Sequence, residues 1–304
     1  MEASSNYSGK IVKSPIISCS RRTDIPSFLM GWVIDRMRTG YVDVSNPFNR
    51  RNITRVSLKP EDVKCWVWWS KNFEDWIKTY KQNISLFKSY KGHVFHFTVN
   101  SPSELEPAIK ISLEERFLQL EWLVRNFTPS AVNLRFDPIV FYKKPGTEQV
   151  KNNLDRFECI VDKASSLGLR ELIFSFVTLY NKTEVRMLSR GKIPIYLTAD
   201  EKRDITRQLQ RICSRYDILM KACCQPELLS IPGIIQAHCI DAYQIERVTG
   251  EAIPKLKDPG QRKGCACYKS KDIGGYRGSF SCKNSCDYCY ASPIKNASPQ
   301  QTHL

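Results

Sequence analysis

Ile16-Ile17-Ser18-Cys19-Ser20-Arg21-Arg22-Thr23-Asp24-Ile25-Pro26 is the stretch on which the reading of the fold turns. Its apolar start, 16–20, has the length and bounds of a buried strand. It then runs into polar and charged residues, not into the glycine-rich turn that a doubly wound dinucleotide-binding sheet needs for close phosphate approach. Six further brief apolar runs, at 41–45, 65–69, 94–99, 131–136, 172–177 and 218–222, read as strands, with an eighth candidate at 234–239. Helices are expected at 27–39, 103–126, 148–167 and 199–216. In the second of these, Phe117, Leu120, Leu123 and Val124 recur at three- and four-residue spacing. Repeated β then α without the glycine turn predicts an α/β fold, a TIM-like or partial (β/α) barrel.

In a barrel, residues just past each strand gather at one rim, where active sites lie. That rule brings together Arg21, Arg22 and Asp24 after the first strand, Asn46 after the second, and Lys71 and Asn72 after the third. Asn100 follows the fourth strand, and Arg135 and Asp137 the fifth. Arg21, Asp24, Asn100, Arg135 and Asp137 are the candidate cofactor-binding residues: guanidinium forks grip carboxylates, and aspartates accept from amines or ribose hydroxyls. The plainer alternative is that Arg–Asp pairs at strand ends are structural and that Asn and Asp favour turns.

The chemistry concentrates in Cys282-Lys283-Asn284-Ser285-Cys286-Asp287-Tyr288-Cys289. Spacings of three and two intervening residues let three thiolates take three corners of one [4Fe–4S] cubane, leaving the fourth iron open. Zinc is the rival, with Cys265 and Cys267 as further candidate ligands, although this set lacks the two paired Cys-x-x-Cys knuckles of structural zinc sites. Cys65, Cys159 and Cys213 lie in apolar periodic segments and read as small core residues. Cys223, Cys224 and Cys239 stand at strand ends, where thiols are open to a second metal or to radical chemistry. His96 and His238 sit in apolar runs and read as core histidines.

With 304 residues and 42% hydrophobic content the chain can bury a sizeable core. The expected division is a barrel over 1–250 and a cysteine-rich segment over 251–304, entered through the Lys-, Pro- and Gly-rich connection 255–264 and ending in a polar, frayed stretch, 291–304. The polar start and the lack of a long uncharged apolar run predict a cytoplasmic protein with no membrane partner. There, twelve cysteines stay reduced instead of forming a disulfide framework. A net charge of +15 permits nucleic-acid partners without requiring them, since the charge is spread along the chain.

The cysteine loop, with Tyr288 just before its third cysteine, resembles that of radical S-adenosylmethionine enzymes. Taken with the Cys19-to-Pro26 turn, Asn46-Pro47-Phe48-Asn49, Trp69-Ser70-Lys71-Asn72, Arg135-Phe136-Asp137-Pro138, Cys239-Ile240-Asp241, Cys265-Ala266-Cys267 and Asp272-Ile273-Gly274, it makes nearly the whole chain similar to one uncharacterised prokaryotic family. That family is number 1848 among the domains of unknown function, noted for a C-terminal cysteine cluster like the N-terminal one of radical S-adenosylmethionine proteins. The resemblance implies a [4Fe–4S] cluster on Cys282, Cys286 and Cys289. It implies further that the open iron binds S-adenosyl-L-methionine and that a donor of the flavodoxin or ferredoxin type supplies electrons. Because the loop here follows everything else, it implies a permuted barrel or a tail folded over the same rim. The alternative function is a non-catalytic metal protein, with structural zinc or an electron-transfer cluster, open to association with nucleic acid.

Overall fold

The computed structural model describes residues 9–46, 49, 51–262 and 264–291. The start 1–8, the motif residues Pro47 and Phe48, and the ending from residue 292 lie outside them. Among the described residues thirteen strands are formed: β1 Ile16–Cys19, β2 Tyr41–Ser45, β3 Ile53–Ser57, β4 Cys65–Ser70, β5 Gly92–Thr98, β6 Val132–Ile139, β7 Phe141–Lys143, β8 Val150–Asn152, β9 Glu171–Phe176, β10 Ile193–Pro194, β11 Leu219–Ala222, β12 Ile235–Gln236 and β13 Lys271–Asp272. Eight of them make one parallel sheet in the order β12-β11-β9-β6-β5-β4-β1-β13. The fold is thus α/β, built on a large parallel sheet. Among the described residues the sheet is open, because its edge strands β12 and β13 do not pair. The chain after β12 bonds to the tail's loop instead, as where Tyr268 N–H donates to the Ile240 carbonyl (3.0 Å).

The central strands read as mostly apolar runs because both faces are covered; in β4, Cys65, Trp66, Val67 and Trp68 are all fully buried. Tyr41–Ser45 departs from the expected arrangement. It pairs antiparallel with β3 in a separate hairpin, and its exposure alternates, with Val42 buried and Asp43 exposed. That period of two is the mark of a half-covered strand.

Helix boundaries shift where capping chemistry decides them. The helix expected from residue 103 begins at Leu113 and runs Leu113–Phe127, because Ser112 and Glu115 form a reciprocal capping box there; residues 101–112 are loop instead. The helix expected at 27–39 is two, Ile25–Phe28 and Met30–Thr39. The stretch expected as helix at 148–167 contains β8 and a helix only over Phe157–Ser166. The helix Ala199–Arg215 falls where the periodicity puts it. No helix of the described residues is long and apolar enough to cross a membrane.

Cys65 and Cys213 are core residues, whereas Cys159 is exposed on its helix. His96 is fully buried; His238 is only partly so. The other core histidine, His93, accepts from Trp68 Nε1 through Nδ1 and donates from Nε2 to the Phe87 carbonyl, both at 3.1 Å. Burial pushes its pKa down to about 4, with the Phe87 contact opposing. Above the unfolded value of about 6.5 the imidazole is neutral in both states and adds no pH dependence. Below it, the unfolded chain takes a proton that the folded protein refuses. Stability should therefore fall by about 3 kcal/mol between pH 6.5 and 4 through this residue. Urea unfolding at pH 7 and pH 4.5 should show a smaller acid-induced loss in His93→Gln than in wild type; equal losses would refute the assignment.

Candidate functional site: a cysteine-lined cavity at the sheet's C-terminal edge

A cavity of about 420 Å³ opens at the C-terminal ends of the parallel strands, where Asp24, Lys71, Arg135, Ser175, Cys224 and Cys239 end or follow them. The volume falls within the roughly 300–1,000 Å³ of small-molecule sites. Cys282, Cys286 and Cys289 line it as well.

The tail reaches this position through β13, which pairs parallel with β1 in the register Ile17↔Lys271 and Ser18↔Asp272. Asp272 locks the join. Its carboxylate accepts from Ser18 Oγ (2.9 Å), Ser20 Oγ (2.7 Å), Arg21 N–H (2.8 Å) and Gly274 N–H (3.0 Å). Gly274 has to be glycine, since a Cβ there would lie 2.0 Å from Ser20 Oγ.

Four polar anchors then hold the cysteine loop. Between the first two cysteines, Asn284 Nδ2 donates to Asp24 Oδ2 (2.8 Å). Tyr288 donates to Glu106 Oε1, which also accepts from Lys71 Nζ (2.9 Å) and Asn100 Nδ2 (2.8 Å). Asp287, fully buried, pairs with Arg190 and with Lys192 Nζ (3.0 Å). Arg186 Nη1 donates to the Cys289 carbonyl (2.6 Å). Around these, Leu105, Val140, Tyr142 and Met187 pack against Cys286 and Tyr288.

Burial pushes the Cys286 thiol well above its ordinary range, and neighbouring Glu106 adds to this while Lys71 opposes it. For Cys282 burial again dominates and raises the thiol to about 11. Burial also works to raise Glu106, but Lys71, Tyr288 and Asn100 outweigh it and hold the carboxyl below its usual value. Without metal these cysteines are neutral thiols, so ligation must release protons. Among the described residues no group of three or more His, Cys, Asp or Glu side chains is set to hold an ion as it stands. The donor chemistry nonetheless suits an iron–sulfur core: three cysteines on one anchored loop, facing one cavity, with the one carboxylate among them, Asp287, taken by Arg190 and Lys192.

The five residues read from the sequence as cofactor-binding are used in different ways. Asp24 caps the short helix at Ile25–Phe28 through Ser27 N–H (3.2 Å) and accepts from Ser70 Oγ, Lys71 N–H and Asn284. Burial raises its pKa despite these donors. Asn100 lies behind the cavity wall, its amide holding Tyr288 (3.2 Å) and its oxygen accepting from Asp137 N–H (2.9 Å). Arg135 donates to Cys239 Sγ (3.0 Å) and to Asp137 Oδ2, with its guanidinium over the Trp69 ring (5.3 Å). Asp137 also accepts from Ser175 Oγ. Arg21 reaches Asp258 (3.3 Å) through Nη2, but its Nη1 is buried with no hydrogen-bond partner. Asn46 and Asn72 do not line the cavity, Asn46 because its strand belongs to the hairpin.

Cys265 and Cys267 pack in one cluster with Cys223, Cys224 and Cys239, whereas Cys286 and Cys289 of the triad pack in another. Glu106, Asp287 and Arg190 were not legible as site residues. Glu106 sat in what the periodicity made a helix, and Arg190 and Lys192 meet Asp287 only through the tertiary fold.

No curated protein matches this chain. Residues 16–291 match the family model described as a domain of unknown function, DUF1848, a span that takes in β1, the whole parallel sheet and the cysteine triad. The chain therefore belongs to the DUF1848 family.

Proposed function

We propose that this protein is a radical S-adenosylmethionine-like enzyme built on an open, circularly permuted (β/α) barrel. The observation that carries the reading is the strand order. β13 lies beside β1, so in space the sheet runs β13-β1-β4-β5-β6-β9-β11-β12, and the triad loop follows the first of these strands. A permutation of that kind sets the triad at the strand ends that face the cavity.

In this reading Cys282, Cys286 and Cys289 ligate the cluster. When bound, a [4Fe–4S] cluster with one open iron supplies the electron that cleaves the sulfonium of S-adenosylmethionine to methionine and a 5′-deoxyadenosyl radical. The chain's own groups orient and shield. Arg21 Nη1, the buried donor without a partner, meets the cofactor carboxylate, and burial of Cys282 and Cys286 helps keep water from the reacting atoms. Arg135 serves as a positioning residue, its fork already engaged by Cys239 and Asp137. The electron donor is of the flavodoxin or ferredoxin class.

The test uses the reconstituted, dithionite-reduced protein. Adding S-adenosylmethionine should shift its electron paramagnetic resonance spectrum and slowly yield 5′-deoxyadenosine. Arg21→Ala should weaken that shift roughly ten- to a hundredfold, by loss of a charge-assisted bond worth about 1.5–3 kcal/mol, while iron content stays the same. A loaded, reducible cluster that ignores S-adenosylmethionine would reject the enzyme reading.

A further inference from the structure

Five cysteines outside the triad ring the same cavity, Cys223, Cys224, Cys239, Cys265 and Cys267. Cys223 Sγ lies 3.4 Å from Cys239 Sγ. Cys224, Cys265 and Cys267 pack in the same cluster as these two. The members come from the ends of β11 and β12 and from the tail segment that crosses before β13. Cys223, Cys239, Cys265 and Cys267 are buried. Cys224 holds a left-handed backbone (φ 55°), a conformation uncommon outside glycine, and with it two consecutive thiols join one ring.

Nitrogen donors point at the sulfurs. Arg135, 4% exposed, donates from Nη1 to Cys239 Sγ at 3.0 Å, the Ile240 amide donates to Cys267 Sγ at 3.4 Å, and Arg262 faces Cys224. A neutral thiol is a weak acceptor, so a buried guanidinium aimed at one fits best where the sulfur carries negative charge. Four thiolates on a divalent ion leave two negative charges, which the cations of Arg135 and Arg262 offset.

We propose that Cys223, Cys224, Cys239, Cys265 and Cys267 form a second metal centre, separate from the triad, in which four thiolates hold zinc or an iron centre. An all-sulfur donor set selects those metals. Tetrahedral Zn–S bonds of about 2.3 Å put ligand sulfurs about 3.8 Å apart, near the measured Cys223–Cys239 contact. Since no three side chains already surround one point, the sulfurs turn inward on binding, and each ligating thiol gives its proton to solvent. No electron is transferred. The proposal does not depend on the triad reading, because the two sets share no cysteine.

The full chain carrying Cys282→Ala, Cys286→Ala and Cys289→Ala separates the two. Purified anaerobically, it should retain about one equivalent of zinc, or iron with or without acid-labile sulfide. Zinc identifies a single-ion site and iron with sulfide a cluster, and either supports the proposal. Adding Cys239→Ala and Cys267→Ala should remove that metal. If this variant fails to fold, Co²⁺ titration of the metal-free triad variant decides the matter: intense thiolate-to-cobalt absorption supports the centre. Triad-deficient protein with neither zinc nor iron and no cobalt absorption would overturn it, as would thiol counts showing disulfides among the five.

Discussion

Anaerobic reconstitution with ferrous iron and sulfide is expected to load about four more irons per chain into the wild-type protein than into its Cys286→Ala variant. Cys286 is the central cysteine of the triad and is 3% exposed, packed beside Tyr288 and Leu105. A missing thiolate there cannot be replaced from the backbone, and the nearest carboxylate, Glu106, is already taken by Lys71, Asn100 and Tyr288. Loss of a single small thiol from a packed site costs little folding energy, so the variant should remain folded, with an unfolding free energy within about 1–2 kcal/mol of wild type. Iron and acid-labile sulfide assays on both proteins give the answer. Equal iron in the two would remove the triad from consideration as the cluster site. Because the five-cysteine ring is untouched in both, the difference between them reports the triad alone.

Asp272→Ala should be the most damaging single change outside the cysteines, lowering stability by about 3–5 kcal/mol. The carboxylate is 9% exposed and receives four donors, two of them backbone amides. Its removal leaves Ser18, Ser20 and the Arg21 and Gly274 amides without their acceptor and strips Arg21 and Arg22 of a nearby counter-charge. These contacts are what hold a two-residue strand to the sheet edge. Iron uptake by the triad should fall along with stability, whereas Asp258→Ala, which removes a 3.3 Å contact to Arg21 and local bonds from Gly260 N–H and Gln261, should spare it. Denaturant unfolding combined with iron analysis checks both. A loss under about 1 kcal/mol would mean that the tail is held elsewhere.

Much of the sheet was legible locally. Buried parallel strands are short, mostly apolar runs, and β1, β4, β5 and β9 each lie in such a run, while β6 and β11 carry Arg135 and Lys221 within theirs. The same rule misread Tyr41–Ser45, where alternation pointed to a half-covered strand that the hairpin then supplied. Helix starts depended on caps more than on periodicity, as Ser112 and Glu115 show.

The sequence by itself determined the parallel α/β layering and the three-cysteine loop, because both are written in residues close along the chain. Tertiary structure alone decided where that loop goes. β13 has two residues and no periodicity, and only its pairing with β1 and the bonds to Asp272 bring the triad to the cavity. It also decided which cysteines belong together: strand order carries Cys223, Cys224 and Cys239 to the Cys265-Ala266-Cys267 segment, and Glu106 to Tyr288, across distances in sequence that no local pattern spans.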